Sequence, residues 1–132
     1  MIILYPLSHG TCVCIILCRD LCINDLILTD SNNGNTGRFL GFSLYVSNTT
    51  ERSKGKLCFK DTSFTRGTIP PVFTVTCPVQ GQYVIYYNER LPGVVYPNGY
   101  SYYAYLDLCE VEVYGKHVHI HFSSKKSFFR FV

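Results

Sequence analysis

Residues 108–115 read LCEVEVYG: a cysteine precedes a strictly alternating acidic and apolar run, and a glycine ends it. A period of two belongs to an extended strand, whose successive side chains leave on opposite faces. Leu108, Glu110 and Glu112 therefore fall on one side, and Cys109, Val111 and Val113 on the other. One side is solvated and the other faces a core, as expected of an edge strand.

The same periodicity recurs outward from this run. Upstream, FLGFSLYVS (39–47) sets Phe42, Leu44 and Val46 against Ser43, Tyr45 and Ser47. VFTVTC (72–77) alternates again, and QYVIYYNE (82–89) is rich in β-branched and aromatic residues. YYAYLDLCEVEVY (102–114) reads as a long strand broken near Asp107, and KHVHIHFSS follows it. LCFKD (57–61) fits a short edge strand, and INDLILTD (23–30) another short strand. Between them lie SNNGNTGR, NTTERSKGK, TSFTRGTIPP and LPGVVYPNGYS, all loop sequences built from turn-forming residues. No segment sustains a period of 3.6 with a cap at each end. The fold class is all-β, an antiparallel sandwich or barrel.

Composition agrees. Apolar residues make up 47 % of the 132, enough for one packed domain. Nine of the eleven tyrosines lie between Tyr83 and Tyr114. The formal charge of +3 belongs to the end of the chain, where Lys116, Lys125, Lys126 and Arg130 have no acidic neighbours. No basic stripe with interleaved aromatics crosses the body, so nucleic acid is not the expected partner. Seven cysteines suggest an oxidising compartment. The opening MIILYPLSHGTCVCIILC is apolar, yet it has no Lys or Arg before Arg19 and is interrupted by Pro6, Ser8, His9 and Gly10. It fits neither a secretion signal nor a membrane span.

The residues offer little catalytic chemistry. There is no G-x-S-x-G, H-E-x-x-H or phosphate-binding loop, and strand-adjacent acids are limited to Asp61, Asp107, Glu110 and Glu112. An enzyme is not expected. Cys12, Cys14, Cys18 and Cys22 lack the paired knuckles of a zinc site. His117, His119 and His121 share one strand face, which reads as a solvated face rather than a metal site. Cys58 and Cys77 are placed to staple a hairpin-like excursion, worth about 2–4 kcal/mol through the unfolded chain. Asn48-Thr49-Thr50 is a single glycosylation sequon in a loop.

From residue 37 to 115 the chain resembles the second half of a fucolectin domain, the F-type lectins of the discoidin and coagulation-factor type C superfamily. The words that carry the likeness are GRFLGFSLYVSNT, LCF, FTVTCP, GQYVIYY and YLDLCEVEVYG, in that order. The resemblance implies an antiparallel jelly-roll β-sandwich of discoidin type, incomplete at its N-terminal side. It divides the chain into a poorly matching, cysteine-rich segment 1–30, a fucolectin-like portion 31–115, and a basic, aromatic tail 116–132. It also implies a secreted or cell-surface protein whose partners are glycans or glycoproteins, and a disulfide between Cys58 and Cys77. A partial sandwich of this kind is expected to be poorly soluble alone, because missing strands leave edges and core uncovered.

The family's sugar site combines a histidine, an arginine, an aspartate two positions later and a second basic residue. Here Arg38 matches the second basic position. Ser31 stands where the first arginine belongs, Asn33 where the aspartate belongs, and Gly34 and Asn35 replace two adjacent cysteines. His9 is too close to Ser31 to supply the histidine. Fucose binding is accordingly expected to be weak or absent. The family's calcium is closed by the carbonyl of the cysteine before the last strand and by the next glutamate, here Cys109 and Glu110. Calcium takes six to eight oxygens, and the nearest further candidates are Asp20, Asn24 and Asp25. The sequence thus reads as a lectin-like module with most sugar contacts missing; the alternative is an extracellular adhesive or structural β-sandwich without sugar binding.

Overall fold

The structure, a computed structural model, describes residues 2–4, 13–18, 36–70, 72–104, 110–115 and 118–123. Their eight strands are β1 (Ile2–Leu4), β2 (Val13–Cys18), β3 (Ser43–Ser47), β4 (Lys56–Lys60), β5 (Val72–Cys77), β6 (Tyr83–Tyr87), β7 (Glu110–Gly115) and β8 (Val118–Ser123). Helical geometry among the described residues is confined to two three-residue 3-10 turns, Thr36–Arg38 and Arg52–Lys54. The all-β expectation holds. One four-stranded sheet runs β1-β6-β3-β4 and another runs β5-β2-β7-β8. All pairings are antiparallel.

The core follows from the alternation in β3 and β6. Leu44, Val46, Val84 and Tyr86 are buried on one side of the first sheet, with Phe39, Leu40 and Phe42 before β3 and Ile69 beyond β4. Phe42 lies at the centre of an aromatic cluster. Its ring stands 5.3 Å from Phe59, 6.5 Å from Phe64, 5.4 Å from Phe73 and 5.5 Å from Tyr86. Phe73 belongs to β5 and reaches Phe59 of β4 at 4.6 Å. An edge strand of the second sheet therefore packs on the first through aromatic contacts, which add to simple area burial.

A bulge lets β4 serve this packing twice. The β3–β4 register pairs Leu44 with Phe59 and then Tyr45 with Leu57, so Cys58 is the extra residue. In an unbroken strand, neighbours Cys58 and Phe59 would face opposite sides. The bulge bends the strand, and both residues pack against the core. Cys58 then meets Cys77 of β5 in a disulfide with Cα atoms 5.6 Å apart, inside the range such bonds require. The expected staple is present, and it joins edge strands of different sheets.

Several local expectations change. The segment 39–47 is strand only from Ser43; residues 36–38 form the 3-10 turn and 39–41 a turn. Its polar side is also covered, with Ser43 and Ser47 buried. The Arg52–Lys54 turn folds back over it, bringing Gly55 against the Cβ atoms of Tyr45 and Ser47. Tyr102 and Tyr103 form a bend rather than the start of a strand, and β7 is described over Glu110–Gly115. The opening 22 residues, which show no period, contribute β1 and β2, and β2 lies between β5 and β7. VCIILC is a nearly continuous apolar run, and such a run has no alternation to read. The alternating stretch KHVHIHFSS supplies β8, which pairs with β7 from Val118 to Ser123 and leaves β7 between β2 and β8 rather than at the expected edge. The expected strand at 23–30, the tyrosine-to-cysteine stretch 105–109 and His117 lie outside the described residues.

Candidate functional site

The loop from Asn88 to Ala104, between β6 and β7, is long and has no regular structure. It is nevertheless tied to the body. Leu91-Pro92-Gly93-Val94 and Pro97-Asn98-Gly99-Tyr100 are two β-turns, closed by Val94 N–H to Leu91 carbonyl at 3.3 Å and Tyr100 N–H to Pro97 carbonyl at 3.2 Å. Their third residues, Gly93 and Gly99, have φ of 77° and 98°, the left-handed geometry that such turns assign to glycine.

Arg90 is the strut of this loop. Its Nε donates to the Ser101 carbonyl at 3.0 Å. Nη1 donates to the Asn88 side-chain oxygen at 3.0 Å and to the Glu89 carbonyl at 2.9 Å. Nη2 donates to the carbonyls of Gly37 at 3.0 Å and Leu40 at 3.1 Å. A guanidinium has five N–H donors, so this one is saturated. Its plane also lies near Tyr96 and Tyr100, with Cζ 5.1 Å and 4.8 Å from the ring centroids. Burial lowers the Arg90 pKa, with the two tyrosines acting in the opposite direction; the group remains a cation at any ordinary pH.

Further bonds close the same seam. Ser101 N–H donates to the Gly37 carbonyl at 3.1 Å. Gly37 has no room for a side chain, since a Cβ would meet the Gly99 carbonyl and Ser101. Arg66 donates from Nε to the Gly99 carbonyl at 2.7 Å. Asn88 donates its amide to the carbonyls of Arg38 at 2.9 Å and Leu40 at 3.3 Å. On the other side of this region, buried Asp61 accepts N–H bonds from Gly41 at 2.7 Å, Ser63 at 3.0 Å and Phe64 at 2.8 Å. It is a backbone cap.

Outside this polar seam the loop encloses an open cleft of about 830 Å³ between residues 88–97 and 100–104. Its rim is aromatic and apolar. Tyr102 is 92 % exposed, Tyr103 63 % and Val95 95 %. The carboxylate of Glu89, also on the rim, accepts a hydrogen bond from the Tyr87 hydroxyl. That bond is the largest cause of the upward shift of the Tyr87 pKa. Arg52 lies over the Tyr87 ring, 4.0 Å from its centroid, and donates to the Tyr45 hydroxyl at 3.3 Å. The arrangement presents flat apolar faces beside a carboxylate and hydroxyls, and contains no nucleophile–base pair among the residues just described.

The residues singled out from sequence are placed as follows. Arg38 ends the first 3-10 turn, half-buried, at the same end of the sheet as the cleft but not in its lining. Glu110 opens β7 opposite Ser123; Cys109 lies outside the described residues. Among the described residues no three His, Cys, Asp or Glu side chains group around a possible ion; the further calcium candidates Asp20, Asn24 and Asp25 lie, like Cys109, outside those residues. Also among them, no helix is long and apolar enough to cross a membrane. Sequence reading passed over Arg90 and the exposed tyrosines; the two turn signals, LPGV and PNGY, were the only trace of an ordered loop. The chain matches no protein-family model, no curated protein and no solved structure.

Proposed function

We propose that this chain is an extracellular lectin-like module, a jelly-roll β-sandwich of the fucolectin kind whose glycan contact is the 88–104 loop. The observation that carries the reading is the exposed pair Tyr102 and Tyr103, at 92 % and 63 %, beside an open cleft. Aromatic faces accept the apolar face of a pyranose ring, and a few fixed polar groups orient its hydroxyls. Glu89 and the tyrosine hydroxyls supply those groups. The site is shallow, and affinity for a single sugar is expected in the millimolar range, about −4 kcal/mol. A glycan array followed by calorimetric titration tests this. Binding that is lost in Tyr102→Ala and Tyr103→Ala but kept in Arg38→Ala is the expected result. Micromolar fucose binding that depends on Arg38 overturns it.

A second reading is an extracellular adhesive or structural module without sugar binding. Saturation of Arg90 favours it, because the guanidinium has no free fork to grip neighbouring hydroxyls. A silent array together with intact folding selects this reading.

A further inference from the structure

The sequon Asn48-Thr49-Thr50 has no part in the cleft. It follows β3 directly, and all three residues are exposed. The turn around it is held from within: Thr49 N–H donates to the Ser47 hydroxyl at 3.1 Å, and Glu51 N–H to the Thr49 hydroxyl at 3.3 Å. These bonds use Ser47 and Thr49, and leave the Asn48 amide and the Thr50 hydroxyl facing solvent.

Position in the sheet matters as much as exposure. The β3–β6 register pairs Ser47 with Tyr83 and Ser43 with Tyr87. The 88–104 loop leaves from the Tyr87 end, and Asn48 from the other. Four strand steps separate them, roughly 14 Å along the sheet. The sequon also begins the connection into β4, the outer strand of the first sheet. An edge strand offers unpaired backbone groups to other chains, and proteins commonly shield such edges. β4 carries exposed Lys56 and Lys60 at its two ends, with Leu57 52 % exposed between them. The Cys58–Cys77 disulfide fits the proposed extracellular route, since such bonds persist in oxidising compartments, where N-linked sugar is transferred.

We infer that Asn48 is an N-glycan acceptor, whose sugar sits at the entrance to edge strand β4 and away from the cleft. The inference rests on the extracellular reading above. In the transfer, the Asn48 side-chain nitrogen forms a bond to the anomeric carbon of an oligosaccharide carried on a polyprenyl pyrophosphate. The bond from that carbon to the pyrophosphate oxygen breaks, the lipid pyrophosphate leaves with the electron pair, and the amide nitrogen gives up one proton. No electron is exchanged with an oxidant. Thr50 supplies the hydroxyl that an N-x-[ST] acceptor requires.

The test is expression of the full chain behind a cleavable leader in eukaryotic secretory cells, with luminal material identified by protease protection. Expected is a single mobility step removed by peptide N-glycosidase, with the enzyme's deamidation mark at Asn48 in the mass spectrum. Asn48→Gln and Thr50→Ala abolish the step, and Thr50→Ser keeps it. Protected luminal chain with unmodified Asn48 overturns the inference. The extracellular reading fails by another readout: Cys58 and Cys77 remain reduced in luminal chain that carries sugar on Asn48.

Discussion

Beneath β3 and β4, Phe42 is surrounded by the rings of Phe59, Phe64, Phe73 and Tyr86. Beside it, the 88–104 loop rests on one guanidinium that reaches the carbonyls of Gly37, Leu40, Glu89 and Ser101. The first region is held by non-directional apolar contact and a disulfide, the second by directional bonds. The difference is set by what each must cover. Strands satisfy their own backbone groups, so what remains is apolar surface to bury. A loop without regular structure leaves carbonyls unpaired, and a buried carbonyl must find a donor. One arginine meets several of them at once, because its donors are rigid and charged.

The contrast can be broken by substitution. Phe42→Ala has the largest expected effect, a loss of about 3–5 kcal/mol in urea unfolding, because five rings share one cluster. Removing the staple with Cys58→Ser and Cys77→Ser together is expected to cost about 2–4 kcal/mol, chiefly through the freed unfolded chain. Arg90→Lys keeps the charge and loses the fork. It is expected to cost about 1–3 kcal/mol, read as faster amide exchange at Ser101 and Tyr100 with little change in the core. If the Arg90→Lys and Phe42→Ala midpoints fall equally, the loop and the core form one cooperative unit and the comparison fails.

Alkaline pH sharpens it from the side of the core. Burial is the main cause that raises the Tyr86 pKa, and the Asn88 hydrogen bond opposes it. A raised folded pKa means that the folded state holds its proton after the unfolded chain has lost it. The contribution is therefore full below about pH 10, the free tyrosine value, and is lost as pH rises above it. The expected slope is roughly 1 kcal/mol per pH unit from this one group, and Tyr86→Phe reduces it in denaturation series from pH 9 to 11. The smallest effect is at the rim: Tyr102→Ala should change stability by no more than about 0.5 kcal/mol while removing part of the proposed glycan contact.

Much of the fold was legible in particular residues. The alternation of VFTVTC gave the bounds of β5, and FLGFSLYVS contained β3 but began four residues too early; a period of two is a local property of an extended chain. Cys58 and Cys77 were read as partners from their places at strand ends. The stretch VCIILC was not legible as a strand, since continuous apolarity lacks a period. Tyr102 and Tyr103 were misread as strand, because aromatic residues have the same propensity on an exposed bend as in a sheet. The site was less legible than the fold. Arg38 was reached through a resemblance, whereas Arg90 has no motif around it; its role depends on carbonyls about fifty positions away in the chain.

By itself the amino-acid sequence determined the all-β class, the positions of the middle strands, the turn chemistry of LPGV and PNGY, and an exposed sequon. These are short-range matters, settled by neighbours along the chain. Only the tertiary structure decided that β4 bulges at Cys58 and that its disulfide with Cys77 joins two different sheets. Only it decided that Arg90, and not a packed side chain, closes the 88–104 loop. Both depend on backbone groups brought together from distant segments, and a pattern of side-chain types along the chain does not record where unpaired carbonyls meet.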